Sequence, residues 1–245
     1  MSDGQKLAVV TGSTAGIGLT TAALLARAGW RVIGCARNPE KAPPLPEGVK
    51  TVRCDVASAV SVRALADIVA AQGVPLGAVV NSAGVAMPRT PFLGTSEEEM
   101  QDLFEVNTFG TIRVLRALLP LMVGGGTVVN LSSTLAGRPR PGSALYAATK
   151  GAVERFSTAL ATEVAAQGIR IHVVAPALVR SEIWLRTGMT PEDYEALLIA
   201  RGREFPLGRI GEPDDVAEMI CYLVSDKATW MTGNLMQVDG GAMLR

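Results

Sequence analysis

The sequence predicts a doubly wound α/β fold of the Rossmann type, an α/β Rossmann-type doubly wound parallel sheet of about seven strands with helices on both faces. Three observations predict it. Short apolar, β-branched runs alternate with stretches of helical spacing along almost the whole chain. Those runs are near-continuous rather than alternating in polarity, as strands buried on both faces require. No Ser-, Gly- or Pro-rich linker divides the 245 residues, a length within reach of one large domain.

The elements follow in order. Leu7 to Val10 is an apolar strand ended by Thr11-Gly12, and Ile17 to Ala28 carries Ile17, Leu24, Leu25 and Ala28 at helical spacing before Gly29. Arg31 to Cys35 is the second strand, Val49 to Cys54 the third and Leu76 to Val80 the fourth, with an amphipathic stretch from Val62 to Ala71 between the last two. Ser96 and Glu99 form a capping box opening a long helix to about Met122, and the acids of its first turn complement the positive dipole end. Thr127 to Leu131 is the fifth strand. Leu145 to Ala166 is an Ala-rich helix closed by Gly168, and Ile169 to Val174 is a sixth strand ended by Pro176. Strands separated by such helices pair in parallel through right-handed crossovers. The irregular stretch 181–213, where Pro191 can open a short helix, is a candidate lid over strand-end ligands or a plain surface excursion.

Composition narrows the function. Hydrophobic content of 48% against 19% charged excludes general disorder, and 23 basic against 23 acidic residues leaves no long-range field to gather nucleic acid or an acidic membrane surface. Aromatics at 4% are too few for base-stacking platforms. Cys35, Cys54 and Cys221 are odd in number and far apart, which suits a reducing compartment better than a disulfide framework or a zinc site. The N-terminus lacks a leader pattern and no apolar stretch approaches a membrane span, so the expectation is a cytoplasmic protein. His172, the single histidine, sits in a β-branched strand run, which removes histidine-rich metal sites and leaves no metal expected. A Ser-His-Asp hydrolase would need that one histidine and lacks its Gly-x-Ser-x-Gly elbow.

Several strand ends carry chemistry. Gly12, Ser13, Thr14, Gly16, Ile17 and Gly18 form a Gly-x-x-x-Gly-x-Gly turn between the first strand and first helix, where glycines bring a pyrophosphate to a helix N-terminus. Alone, such a turn is equally a strand-to-helix packing device. The second strand ends in Ala36 and Arg37, which offer no carboxylate for a ribose 2′-hydroxyl but a guanidinium for a 2′-phosphate, so NADPH is favoured over NADH unless Arg37 is simply a solvated arginine. Asp55 and Val56 close the third strand, and Asn81, Ala83 and Gly84 the fourth; small residues there leave room for an adenosine and Asp55 can accept from an adenine amino group, although Asn and Asp are also ordinary turn formers. Tyr146 and Lys150, four apart, lie on one helical face, and an ammonium beside a phenol lowers the phenol pKa toward use as a proton donor and acceptor. Ser133, after the fifth strand, emerges at the same sheet edge.

Taken together these elements resemble the short-chain dehydrogenase/reductase family, in its single-domain branch, over essentially the whole chain. Thr11 to Gly18 matches the TGxxxGIG turn, Asn81-Ser82-Ala83-Gly84 the NNAG segment, and Asn107, Ser133, Tyr146 and Lys150 the catalytic tetrad. Pro176 to Ser181 matches PGxVxT, with Ala177 for Gly and Ser181 for Thr, and Thr232-Gly233 through Gly241 matches the C-terminal strand signature. The resemblance implies ketone and secondary-alcohol interconversion by hydride transfer, as in 3-oxoacyl-carrier-protein reductases and related ketoreductases. It further implies Tyr146 as acid/base, Lys150 tuning it and holding the nicotinamide ribose, Ser133 polarising the carbonyl and Asn107 anchoring a relay water. Pro176, Val179 and Ser181 are implied at the nicotinamide. A mainly apolar substrate pocket is implied around Ser133, Leu135, Tyr146 and Trp184, with Val85, Ala86, Met87, Leu185 and Met189 nearby. Arg138 and Arg140 are candidates for an acidic substrate group or plain surface arginines. A homo-oligomer, a tetramer first, is implied by the family and by the small-residue surface of the helix from Leu145 to Ala166. The alternatives are a non-catalytic nucleotide-sensing regulator on the same fold, which typically loses the Tyr or Lys kept here, and a lyase or epimerase, for whose larger substrate domain 245 residues leave no space.

Overall fold

The computed structural model describes residues 6–86, 90–181 and 189–244. Seven parallel strands form one sheet in the order β3-β2-β1-β4-β5-β6-β7. They are β1 Leu7–Thr11, β2 Arg31–Ala36, β3 Val49–Arg53, β4 Leu76–Asn81, β5 Gly126–Leu131, β6 Ile169–Pro176 and β7 Leu235–Val238. The order reverses between β1 and β4, where consecutive crossovers turn to opposite faces and the loops after both strands open a crevice at their carboxyl ends.

The alternation of side chains along each strand explains the two covering layers. Leu7 and Val9 of β1 join one core with α2 Ala59–Ala70, α4 Gly110–Leu118 and α6 Ala144–Val164, through Leu65, Leu115 and Ala161. Ala8 and Val10 join the opposite core with α1 Gly16–Arg27 and α8 Pro213–Val224, through Leu25 and Ile220. All four of those β1 side chains are fully buried, which is why the strand is an unbroken apolar run. A third cluster, Tyr194, Leu198, Phe205 and Ile210, lies under α7 Pro191–Gly202 and the loop after it.

Local chemistry sets the helix starts. Ser58 accepts from the Ser61 N–H to open α2, and Thr190 accepts from Asp193 to open α7, whose first residue is Pro191. Ser96 and Glu99 make the expected reciprocal box at α3 Glu97–Phe104. The long helix expected from there to Met122 is interrupted. A π-helical turn, Glu105–Phe109, separates α3 from α4, and a single tight turn, Leu119–Leu121, follows. The cause is tertiary: Asn107 is fully buried and its amide is tied to the loop after β4, and a Cβ at Gly110 would lie 2.8 Å from Val56 Cγ2. β6 also runs two residues further than expected, taking in Pro176, which aligns with Val238 of β7. Among the described residues, no helix is long and apolar enough to cross a membrane.

Candidate active site

The glycine turn leaves β1 at the crevice. Gly12 has a φ of +68°, and a Cβ there would sit 2.9 Å from the backbone of Ala83, so the β1 and β4 loops touch as only glycine permits. The Ala83 N–H donates to Thr11 Oγ1 at 2.9 Å, locking the same pair of loops. A Cβ at Gly18 would lie 2.4 Å from the Gly12 carbonyl, which draws α1 tightly onto the turn. The N-cap of α1, Ala15, offers no side-chain acceptor, and the first turn holds no acid. The positive end of the helix, with its unsatisfied N–H groups, is therefore left for an anion.

Two cavities flank this turn. The first, about 530 Å³, is lined by Gly12, Thr14, Gly16, Arg37, Asp55 and Val56 among others. Arg37 is exposed and has no hydrogen-bond or ion-pair partner among the described residues, and the nearby Glu40 is occupied by Arg53 at 3.2 Å. Asp55 Oδ1 accepts from the Ala57 N–H at 3.0 Å, an Asx turn that holds the carboxylate in the wall. Neither Ser13 nor Asn81 faces the cavity. Ser13 is fully buried against Gly34 of β2, and Asn81 donates to Asn130 Oδ1 at 2.8 Å, itself a donor to Ser157 of α6 at 2.8 Å. Their side chains, like the backbone of Gly18, shape the cradle from behind.

The second cavity, about 650 Å³, holds Ser133, Leu135, Tyr146 and Lys150 together with Pro176, Val179 and Ser181. Ile17, Ser82, Gly84, Val85 and Ser181 line both cavities, so the two share a wall. Ser133 caps the short helix α5 Thr134–Gly137 by accepting from Leu135 at 3.2 Å, and its hydroxyl lies near enough to the Tyr146 phenol to lower its pKa slightly. Lys150 Nζ donates to the Leu131 carbonyl at 3.0 Å and stands 5.9 Å from the Tyr146 ring centre. Burial pushes the Tyr146 phenol up to about 12, with the Ser133 hydrogen bond pulling weakly the other way, and burial pushes the Lys150 ammonium down to about 8. The expected lowering of the phenol by Lys150 is therefore corrected: desolvation prevails, and the ammonium is turned to a carbonyl rather than to the phenol oxygen.

Asn107 is placed beside these groups without facing them. Its Oδ1 accepts from the Val85 N–H at 2.8 Å, and its Nδ2 donates to the Val85 carbonyl at 3.0 Å and to Thr149 Oγ1 at 3.3 Å. The main-chain carbonyl of Asn107 accepts from Thr111 Oγ1 at 3.0 Å. Trp184, Met87 and Leu185 lie outside the described residues, as do seven residues, 182–188, of the expected lid. His172 is fully buried in β6, where desolvation foremost, then Arg170, pushes it down to about 4. Among the described residues no group of acids, cysteines and histidine is placed to hold a metal ion.

Two contributors escaped the sequence. Tyr194, buried in α7, accepts from the Ser181 N–H at 2.8 Å, and Arg180 pairs with Glu195 and, at 3.3 Å, Glu212. These contacts fasten α7 to the segment leaving β6. Asp193, Leu197 and Arg201, spaced by four, put a second face of that helix into the cavity, a spacing legible once the helix is assigned.

A family model described as enoyl-(acyl carrier protein) reductase matches residues 12–243, which takes in the lining of both cavities. The chain belongs to the short-chain dehydrogenase/reductase family. It is 35% identical over 244 residues to an uncharacterised oxidoreductase of Methylorubrum extorquens, covering 96% of this chain and 97% of that one. It is 32% identical to the 3-oxoacyl-[acyl-carrier-protein] reductase of Staphylococcus aureus, covering 96% and 97%. The ligand-free aldohexose dehydrogenase of Thermoplasma acidophilum superposes with a TM-score of 0.89 at 27% identity, over 98% of this chain and 95% of that one. The protein is accordingly an NAD(P)-dependent dehydrogenase/reductase.

Proposed function

We propose that this enzyme is an NADPH-dependent ketoreductase, with Tyr146 exchanging the proton and an apolar or acyl-type ketone as substrate. The observation that carries the reading is Tyr146, beside Ser133 and one helical turn before Lys150, on the wall of a cavity that adjoins the glycine-turn cavity. The uncapped start of α1, with Gly12 and Gly16 beside it, suits a pyrophosphate; Arg37 suits a 2′-phosphate; Asp55 and Val56 border the adenosine end; Lys150, Pro176, Val179 and Ser181 border the nicotinamide end. When bound, the dinucleotide supplies or accepts the hydride at the carbonyl carbon.

The protein's own part is the proton. A phenol near 12 is fully protonated at neutral pH, so Tyr146 is charged with a proton for the carbonyl oxygen and Ser133 orients that oxygen beside it. Lys150, still mostly an ammonium below about pH 8, offsets the negative charge that appears as the proton leaves. Asn107, through Val85 and Thr149, fixes the wall against which Tyr146 and Lys150 stand. Oxidation needs the phenolate, so its rate should rise with pH toward the phenol's range. The segment 181–213 acts as the substrate lid. The reading includes a cytoplasmic homo-oligomer, a tetramer first, supported by exposed Ala148, Thr158, Ala159 and Thr162 on α6 and by the wholly exposed Trp230; sedimentation giving only a 25.6 kDa species overturns that part.

The test is NADPH oxidation against a panel of ketones, repeated with Tyr146→Phe. Turnover of at least one ketone is expected, falling by roughly 10² to 10⁴ in the variant with cofactor affinity kept. No ketone-dependent oxidation of either dinucleotide, or a variant as fast as the parent, overturns the reading.

A further inference from the structure

The wall of the larger cavity away from the shared residues carries charge. Arg140, in the loop before α6, and Arg201, near the end of α7, both line it, and their side chains are 34% and 19% exposed. They share a single carboxylate, that of Glu204, at 3.7 Å from Arg140 Nη1 and 2.6 Å from Arg201 Nη1. Among the described residues, two guanidiniums thus meet one carboxylate at this end of the cavity, beside apolar side chains such as Leu135, Leu178 and Phe205; Lys150 and Asp193 are the other charged residues of the lining. Arg138 takes no part, because its Nη1 donates to the Ala242 carbonyl at 2.9 Å.

The position of this pair is fixed by α7. The Tyr194 hydroxyl on the Ser181 N–H sets the N-terminal end of the helix beside the cofactor cavity, and Arg201 lies about two turns, roughly 10 Å, further along. The one acid on the same helix face, Asp193, is about 12 Å from Arg201 along the axis, and its Oδ2 accepts from Thr190 Oγ1 at 2.8 Å. The Arg201 end of α7 thus lies about two turns beyond the Tyr194 anchor, and apolar side chains such as Leu135, Leu178 and Phe205 share the lining.

We infer that Arg140 and Arg201 form a carboxylate subsite, so that the preferred substrates are ketones bearing a carboxylate across an apolar spacer from the carbonyl. The inference rests on the ketone reading given above and deepens it by naming the substrate class. A guanidinium presents paired N–H donors that match a planar carboxylate, and the partial enclosure of both arginines strengthens such contacts. Glu204 competes with the incoming carboxylate for the two guanidiniums. That competition separates the subsite from a mere latch between α7 and the loop before α6, since removing Glu204 helps a subsite and harms a latch.

The experiment compares kcat/KM for a medium-chain oxo-carboxylate with that for the primary amide of the same chain. The parent enzyme should prefer the carboxylate, and Arg140→Gln and Arg201→Gln should each reduce that preference by roughly 10- to 100-fold, the range of a charge-assisted contact. Glu204→Gln should raise it. Equal use of both compounds by the parent, or a Glu204→Gln variant that loses the preference as the arginine variants do, overturns the subsite while leaving ketone reduction intact. If no ketone is turned over, the ketone reading has failed, and calorimetric binding of the oxo-carboxylate decides the subsite separately: affinity lost in Arg201→Gln supports it, and no binding to the parent overturns it.

Discussion

The two cavities differ little in volume, about 530 against 650 Å³, yet they are made in opposite ways. The smaller is built from backbone: a left-handed glycine, a helix start without a cap and short strand-end loops that leave room by lacking side chains. The larger is built from side chains brought by β5, α6, β6 and α7, with the half-buried Tyr146 and the buried Lys150, titratable groups whose properties depend on depth. A cavity of the first kind binds one shape of ligand wherever its short motif occurs. One of the second kind is remade whenever a contributing segment changes, as kinship with both an acyl-carrier-protein reductase and an aldohexose dehydrogenase illustrates.

The sharpest way to break that contrast is at Lys150, which belongs to the deep cavity. Lys150→Met should lower ketone turnover by about 10²- to 10³-fold, the cost of removing a nearby positive charge that offsets the one developing on the phenol. With the ammonium held near 8 and the phenol near 12, kcat/KM for reduction in the parent should decline above about pH 8; the variant should lack that limb. A decline that begins only near the phenol's own range would show that Lys150 does not govern it.

His172 tests whether the second half of the sheet carries its own pH sensitivity. It is neutral in the fold down to about pH 4, whereas an unfolded chain protonates near 6.5. Below the unfolded value the unfolded state binds the extra proton, so stability is lost as pH falls from 6.5 to 4, by about 3 kcal/mol. Urea unfolding at pH 7 and pH 4.5 should show most of that loss in the parent and little of it in His172→Gln.

At the backbone-built cavity the expected effects are smaller. Arg37→Ala should reduce the preference for NADPH over NADH by about 10- to 100-fold, measured as the ratio of dissociation constants. Equal weakening of both dinucleotides would detach Arg37 from the phosphate. The smallest effect is at Ser58, which caps α2 and lines neither cavity: Ser58→Ala should cost about 1 kcal/mol in urea unfolding with kinetics unchanged.

The same division explains what was legible in the sequence. The glycine turn and the Tyr146–Lys150 spacing are local patterns, and Ser133 lies just beyond the end of β5, so their places followed from strand and helix assignment. The sign of the phenol shift did not, because a spacing of four residues states which groups share a face but not how deeply that face is buried. The π-helical turn at Asn107 was hidden because apolar spacing passes through it unbroken, its cause lying in the distant Val85 and Val56. Ser13 and Asn81, polar residues inside binding motifs, turned inward to pack against Gly34 and to join an amide chain across the sheet. Arg201 and Tyr194 reach the site only through the docking of α7, which no short pattern announces.

The wall common to the two cavities has a thermodynamic consequence. Ile17, Ser82, Gly84, Val85 and Ser181 present one surface to each side, so a molecule filling the smaller cavity settles the shape and polarity of the floor on which a molecule in the larger one rests. Two such ligands are thereby linked, and linkage is reciprocal: whatever factor the first gains for the second one's affinity, the second returns to the first.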